Sequence, residues 1–108
     1  MADVTIKSLA DGQLAAGSAT IYTTPAATQT IVKRITLVNR HTSALTVNLY
    51  FKASGGTSRH IIPKDTSLAS KFLLVMDDEV MLEAADIIEG SGGTAEKVDY
   101  VISGIENS

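Results

Sequence analysis

Leu45-Thr46-Val47-Asn48-Leu49-Tyr50-Phe51-Lys52-Ala53 alternates apolar and polar side chains along its whole length. Leu45, Val47, Leu49 and Phe51 share one face; Thr46, Asn48, Tyr50 and Lys52 share the other. Side chains of an extended strand point to opposite faces in turn, so the stretch predicts a strand with one face buried. On that pattern, Thr46, Asn48 and Lys52 are expected to be more exposed than their apolar neighbours. Upstream, 31–39 repeats the pattern, with Ile35 and Leu37 inward and Arg34 and Thr36 outward. The short polar link 40–44 between the two suggests an antiparallel hairpin. Shorter alternating stretches follow at 4–7, 18–24, 59–62, 80–82, 86–89 and 98–105. Pro25 and Pro63 end two of them by removing a ladder donor. The run 71–76 is nearly all apolar, which fits a strand buried on both faces or an edge packed on a neighbouring subunit. No segment carries a helical stripe; 78–89 could hold a turn or two of helix, but strand punctuation surrounds it.

The chain has 108 residues, enough for one domain. Thr, Ile and Val contribute 12, 10 and 8 of them, a β-branched excess that favours sheet. The expected fold is therefore all-β: a compact antiparallel β-sandwich or jelly-roll-like domain of about eight short strands. It would span 1–108, with 1–17 as an N-terminal arm or edge strand. Two loops, Ser54-Gly55-Gly56-Thr57 and Ser91-Gly92-Gly93-Thr94, look alike. Neither leads into a helix or carries the lysine of a phosphate-binding loop, so both are expected to be hairpin connections.

With no cysteine, a disulfide framework, a thiolate zinc site and a cysteine nucleophile are excluded. No apolar run approaches the roughly 18 residues of a membrane span. The N-terminus lacks the basic and apolar regions of a signal peptide, so synthesis in the cytoplasm and no membrane partner are expected. The net charge of −3 and 5 % aromatic content argue against a nucleic-acid partner. His41 and His60 each follow an arginine, which repels a cation, and no metal-ligand spacing occurs. Asp77-Asp78-Glu79 lacks the order of a calcium loop and reads as a solvated turn. No serine stands in a nucleophile elbow, and Ser58 and His60 have no acid placed to orient them. These patterns predict neither an enzyme nor a bound cofactor.

Charge is unevenly spread. Positions 33–71 hold seven basic residues and one acid; 72–108 hold nine acids and one lysine. Interleaved strands would mix these charges over the surface. Otherwise the molecule has a basic and an acidic face, with Lys33, Arg34, Arg40, Lys52, Asp77, Asp78 and Glu79 as charged docking surfaces. The excess apolar run Phe72-Leu73-Leu74-Val75-Met76 is the expected self-association surface, because a bare apolar patch is an aggregation liability.

The order of several stretches resembles a group of small tailed-bacteriophage virion proteins. The stretches are Ala19-Thr20-Ile21-Tyr22-Thr23-Thr24-Pro25, Val32-Lys33-Arg34-Ile35-Thr36-Leu37-Val38-Asn39, Leu45-Thr46-Val47-Asn48-Leu49-Tyr50, Met81-Leu82-Glu83-Ala84-Ala85-Asp86-Ile87-Ile88 and 98–106. Where that group usually has glycine before the late aspartate, this chain has Ala85. The resemblance implies a virion structural protein and brings no catalytic residues. A capsid decoration (cement) protein is expected first, partnered by the major capsid protein or another virion protein. The alternative is a tail, collar or receptor-binding appendage module that binds protein or carbohydrate. A homo-oligomer is expected, and three-fold capsid sites make a trimer the favoured form.

Overall fold

The computed structural model describes residues 4–108 and contains ten strands and, among the described residues, no helix. They are β1 (Val4–Gln13), β2 (Ala19–Thr23), β3 (Gln29–Asn39), β4 (Leu45–Lys52), β5 (Arg59–His60), β6 (Thr66–Leu68), β7 (Leu73–Met76), β8 (Val80–Leu82), β9 (Ile87–Ser91) and β10 (Val98–Asn107). Every pairing is antiparallel. One sheet runs β1-β10-β3, with β7 and β8 both paired to β3; the other runs β2-β9-β4, with β5 and β6 both paired to β4. The all-β, two-sheet architecture expected from the alternation is the one observed. Thr66–Leu68, which matches none of the expected stretches, adds a strand by pairing with β4, and the first strand runs on from the expected 4–7 to Gln13.

Between the sheets lies a core of Val32, Ile35 and Leu37 from β3, Val47 and Leu49 from β4, and Ile102 from β10, all fully buried. Leu14, also fully buried, closes one end: its N–H donates to the Val98 carbonyl at 2.9 Å. The β4 alternation holds, with one exception. Val47 and Leu49 are buried, Leu45 and Phe51 half-buried, and Thr46 exposed, but Asn48 is buried. Its Nδ2 donates to Asp65 Oδ1 at 3.1 Å and Ser91 Oγ at 3.3 Å, and its Oδ1 accepts from the Asp65 N–H at 2.8 Å. The β4–β6 connection thus folds over the strand and replaces water around that amide.

The expected β3–β4 hairpin does not form. β3 pairs with β10, β7 and β8, and β4 with β5, β6 and β9, so 40–44 crosses from one sheet to the other. Asn39 holds this crossover. Fully buried, it donates from Nδ2 to the carbonyls of Leu68 (2.9 Å) and Ser43 (3.0 Å) and accepts the His41 N–H at 2.8 Å. One side chain thereby satisfies backbone groups that a ladder would otherwise pair. The two glycine loops also part company. Ser54–Thr57 joins β4 to β5 as a hairpin, with Gly55 at φ 72°. Ser91–Thr94 instead crosses between sheets, where the N–H of Gly92 donates to the Ala15 carbonyl at 2.9 Å.

Candidate assembly surface

A sandwich in water needs polar residues on both outer faces. The β2-β9-β4 sheet meets that need: Thr46 and His60 are exposed there, Tyr50 and Lys52 half-buried, and the Tyr50 and His60 rings lie 4.7 Å apart. Glu89 accepts a hydrogen bond from the Ser58 hydroxyl.

The outer face of the β1-β10-β3 sheet is different. Register places Ile6 beside Ile105, Ile105 beside Ile31 and Ile31 beside Met81, one apolar row across four strands. Directly paired residues point to the same face, so all four look outward. Ile6 is 84 % exposed and Met81 56 %. A second row runs Asp11, Val101, Thr36, Val75, and a third Gln13, Asp99, Val38, Leu73. Beside the first row, a shallow hollow of about 550 Å³ is lined by Ile6, Ser8, Lys33, Ser103 and Ile105 among others.

The expected association run lies at one edge of this face. β7 pairs only with β3. Leu74 is half-buried and Met76 buried against the core, whereas Phe72, Leu73 and Val75 are 65 %, 61 % and 41 % exposed. The run therefore alternates by face, and its outer residues are apolar as well. Ile6, Ile31, Met81, Val101 and Ile105 extend the patch across the sheet. Their sequence signal was an apolar residue on the supposedly wet side of each strand.

The charged positions interleave. A bulge in β3 sets Ser103 opposite Arg34 and Gly104 opposite Val32, leaving Lys33 as the extra residue, and both Lys33 and Arg34 are exposed. Lys33 pairs with Glu79, which follows the exposed Asp77 and Asp78 in the β7–β8 turn. Arg40 Nε lies 3.6 Å from Asp99, and Lys7 lies 3.2 Å from Glu106. Basic and acidic halves thus meet strand by strand rather than forming two faces. Lys52 stands apart on the other sheet, beside a small hollow with Ala53 and Ile87. Among the described residues, no three His, Asp or Glu side chains converge as metal ligands.

Tyr22 bridges the sheets near this region. Its hydroxyl donates to Glu106 Oε2 at 2.7 Å and contacts the Thr30 hydroxyl at 2.9 Å. Burial, with the Glu106 carboxylate beside it, pushes the phenol up to about 12. Glu106 is held below its ordinary value, first by the Tyr22 hydrogen bond and then by Lys7.

No family model matches this chain, and no curated protein does. Solved structures share its fold. A protein of Bacillus endospore appendages, described as disulfide-linked pili, aligns over 98 % of this chain and 85 % of its own, with TM-score 0.54 and 18 % identity. A protein of the acid-stable capsid of Helicobacter pylori bacteriophage KHP30 aligns over 100 % and 94 %, with TM-score 0.54 and 10 % identity. A protein of an infectious bursal disease virus particle aligns over 99 % of this chain but 30 % of its own, with TM-score 0.49 and 9 % identity.

Proposed function

We propose that this chain is a non-enzymatic structural protein of a tailed-bacteriophage virion, acting as a capsid decoration (cement) protein. The observation that carries the reading is the row of Ile6, Ile105, Ile31 and Met81, with Val101, Val75 and Leu73 beside it, on the outer face of the β1-β10-β3 sheet. Exposed apolar residues gathered across one sheet face fit assembly rather than turnover. The full-length fold likeness to a phage capsid protein supports the virion context. The likeness to a spore-appendage protein supports the alternative of a tail or appendage module. That protein belongs to disulfide-linked pili, whereas this chain has no cysteine, so disulfides cannot link its copies.

A cement protein bridges capsomers and adds buried contacts that resist internal pressure. Its partners would be further copies of itself and the major capsid protein. The trimer rests on the resemblance and on the three-fold sites of head lattices. Co-sedimentation with phage heads lacking this protein tests the role. Saturable binding that raises the temperature of DNA release is the expected result. Failure to bind heads, with binding to tails, would overturn the decoration role in favour of the appendage.

A further inference from the structure

We propose that the outer face of the β1-β10-β3 sheet docks onto the same face of a second copy of this chain. The inference rests on the self-association part of the preceding reading and is independent of any virion.

Three observations select a second copy as the occupant. The first is chemistry: the face is apolar at its margins and along one full row, while the other sheet's outer face is polar. The second is charge. Lys33 is satisfied by Glu79, and Asp99 by Arg40 and by Gln13 at 3.1 Å. On strands β1, β10 and β3, Arg34 and Asp11 are the outward charged groups that make no ion pair among the described residues. They carry opposite signs, and they sit two strands and two register steps apart, on either side of β10. A two-fold axis passing over β10 between Val101 and Ser103 sets Arg34 against the partner's Asp11, and Asp11 against the partner's Arg34. That reciprocity is the signature of an isologous contact. A heterologous contact would satisfy one such pair and leave the other charges open. The third is area. Strands about 4.8 Å apart, rising about 3.3 Å per residue, give this four-strand face about 600 Å² per copy, so two copies offer on the order of 1,200 Å². That meets the size of a stable interface without a third component. The hollow beside Ile6 supplies a recess for a partner side chain.

Sedimentation equilibrium between 5 and 100 µM (roughly the range that brackets micromolar association) tests the proposal. The wild type is expected to be a dimer of the 11.4 kDa chain. Arg34→Asp and Asp11→Arg, each introducing like charges across the dyad, are expected to weaken dimerisation roughly tenfold or more. Combining the two swaps restores it. Val101→Arg, close to the axis, yields a monomer with an unchanged circular dichroism spectrum. A wild-type monomer at the highest concentration overturns the proposal, as does a trimer. A dimer indifferent to all three single changes overturns the face, and a double swap without rescue overturns the reciprocal pairing. A dimer that ignores phage heads keeps this interface and removes the virion role; a monomer that binds heads does the reverse.

Discussion

Replacing Gly104 with alanine probes the β3–β10 register at its bulge. Gly104 lies on β10 opposite the β3 bulge, with an ordinary backbone conformation, so the constraint is space rather than φ. A Cβ built there meets the Ile31 carbonyl oxygen at 2.1 Å and Leu9 Cδ1 at 3.1 Å. Carbon–oxygen contacts in sheets settle near about 3.3 Å, so the strands must part by about 1 Å at this point. The obstacle is backbone and cannot rotate away. Overpacking of this kind costs about 1–3 kcal/mol. Weakened ladder hydrogen bonds add about 1 kcal/mol each. We expect a loss of about 3 kcal/mol, which for a domain of this size lowers Tm by about 12 °C. Gly17→Ala is the control: nothing lies within 4 Å of its added Cβ. Its Tm should be unchanged or a few degrees higher, since alanine restricts the unfolded chain. Thermal melts by circular dichroism at neutral pH compare the two. A Gly104→Ala protein melting within about 3 °C of wild type would refute the β3–β10 register and the bulge within it.

Tyr22→Phe strands the buried Thr30 hydroxyl, leaves Glu106 to Lys7 alone and should cost about 2 kcal/mol in urea unfolding. Because the folded Tyr22 phenol is raised to about 12, its contribution is complete below the ordinary 10.0 and lost as pH rises from there through about 12. The lowered Glu106 works the other way: its contribution is present above the ordinary carboxylate value and lost as pH falls through the lowered one. Phenolate absorbance should show a late-titrating tyrosine near 12 that vanishes in Tyr22→Phe; its survival would assign that titration elsewhere. Ala85→Gly should raise Tm by about 2–4 °C, since relief of left-handed strain exceeds glycine's entropic cost by about 0.5–1 kcal/mol. Ala85 sits at φ 69°, and an unchanged or lower Tm would show that the turn carries no such strain.

Faces were legible in the sequence and partners were not. Alternation at Leu45–Lys52 reports which side chains point inward, and it did so for Val47 and Leu49. It is silent on which strand lies alongside, because ladder hydrogen bonds come from backbone atoms common to every residue. The β3–β4 link is therefore indistinguishable in pattern from a hairpin. What makes it a crossover is the amide of Asn39 reaching carbonyls some 29 positions away. The same holds for Ser54-Gly55-Gly56-Thr57 and Ser91-Gly92-Gly93-Thr94, identical tetrapeptides in different connections. Asn48 looked exposed because its cover comes from Asp65 and Ser91, distant in sequence. The β3 bulge was hidden too: Lys33-Arg34 reads as a polar pair, and only the register with β10 turns both side chains to one face. Ala85 was visible as a departure from the resembling proteins, and its left-handed backbone explains why glycine suits that place.

The exposed apolar residues of the β1-β10-β3 sheet were legible in part, and the limit is instructive. The run 72–76 drew attention because five apolar residues in sequence violate alternation. In β10 the same violation is diluted: Val98, Tyr100 and Ile102 face the core, while Val101 and Ile105 face outward among Asp99, Ser103 and Asn107. Ile6, Ile31 and Met81 are diluted likewise: Ile6 shares the outer side of β1 with Ser8, Asp11 and Gln13 as well as Val4, and Ile31 shares that of β3 with Lys33, Arg34 and Thr36 as well as Val38. Only the register β1-β10-β3-β8 brings Ile6, Ile105, Ile31 and Met81 into one row. A strand predicts its own inward face, but the second apolar face of a sheet is a property of the whole sheet. The opposite sheet shows what this fold does with a solvated exterior: Thr46, Tyr50, Lys52 and His60 look outward there. The two sheets share one core and differ in what lies outside them. In the proposed dimer that difference decides which face is covered, and shape, apolar contact and the Arg34–Asp11 charges hold it without a disulfide.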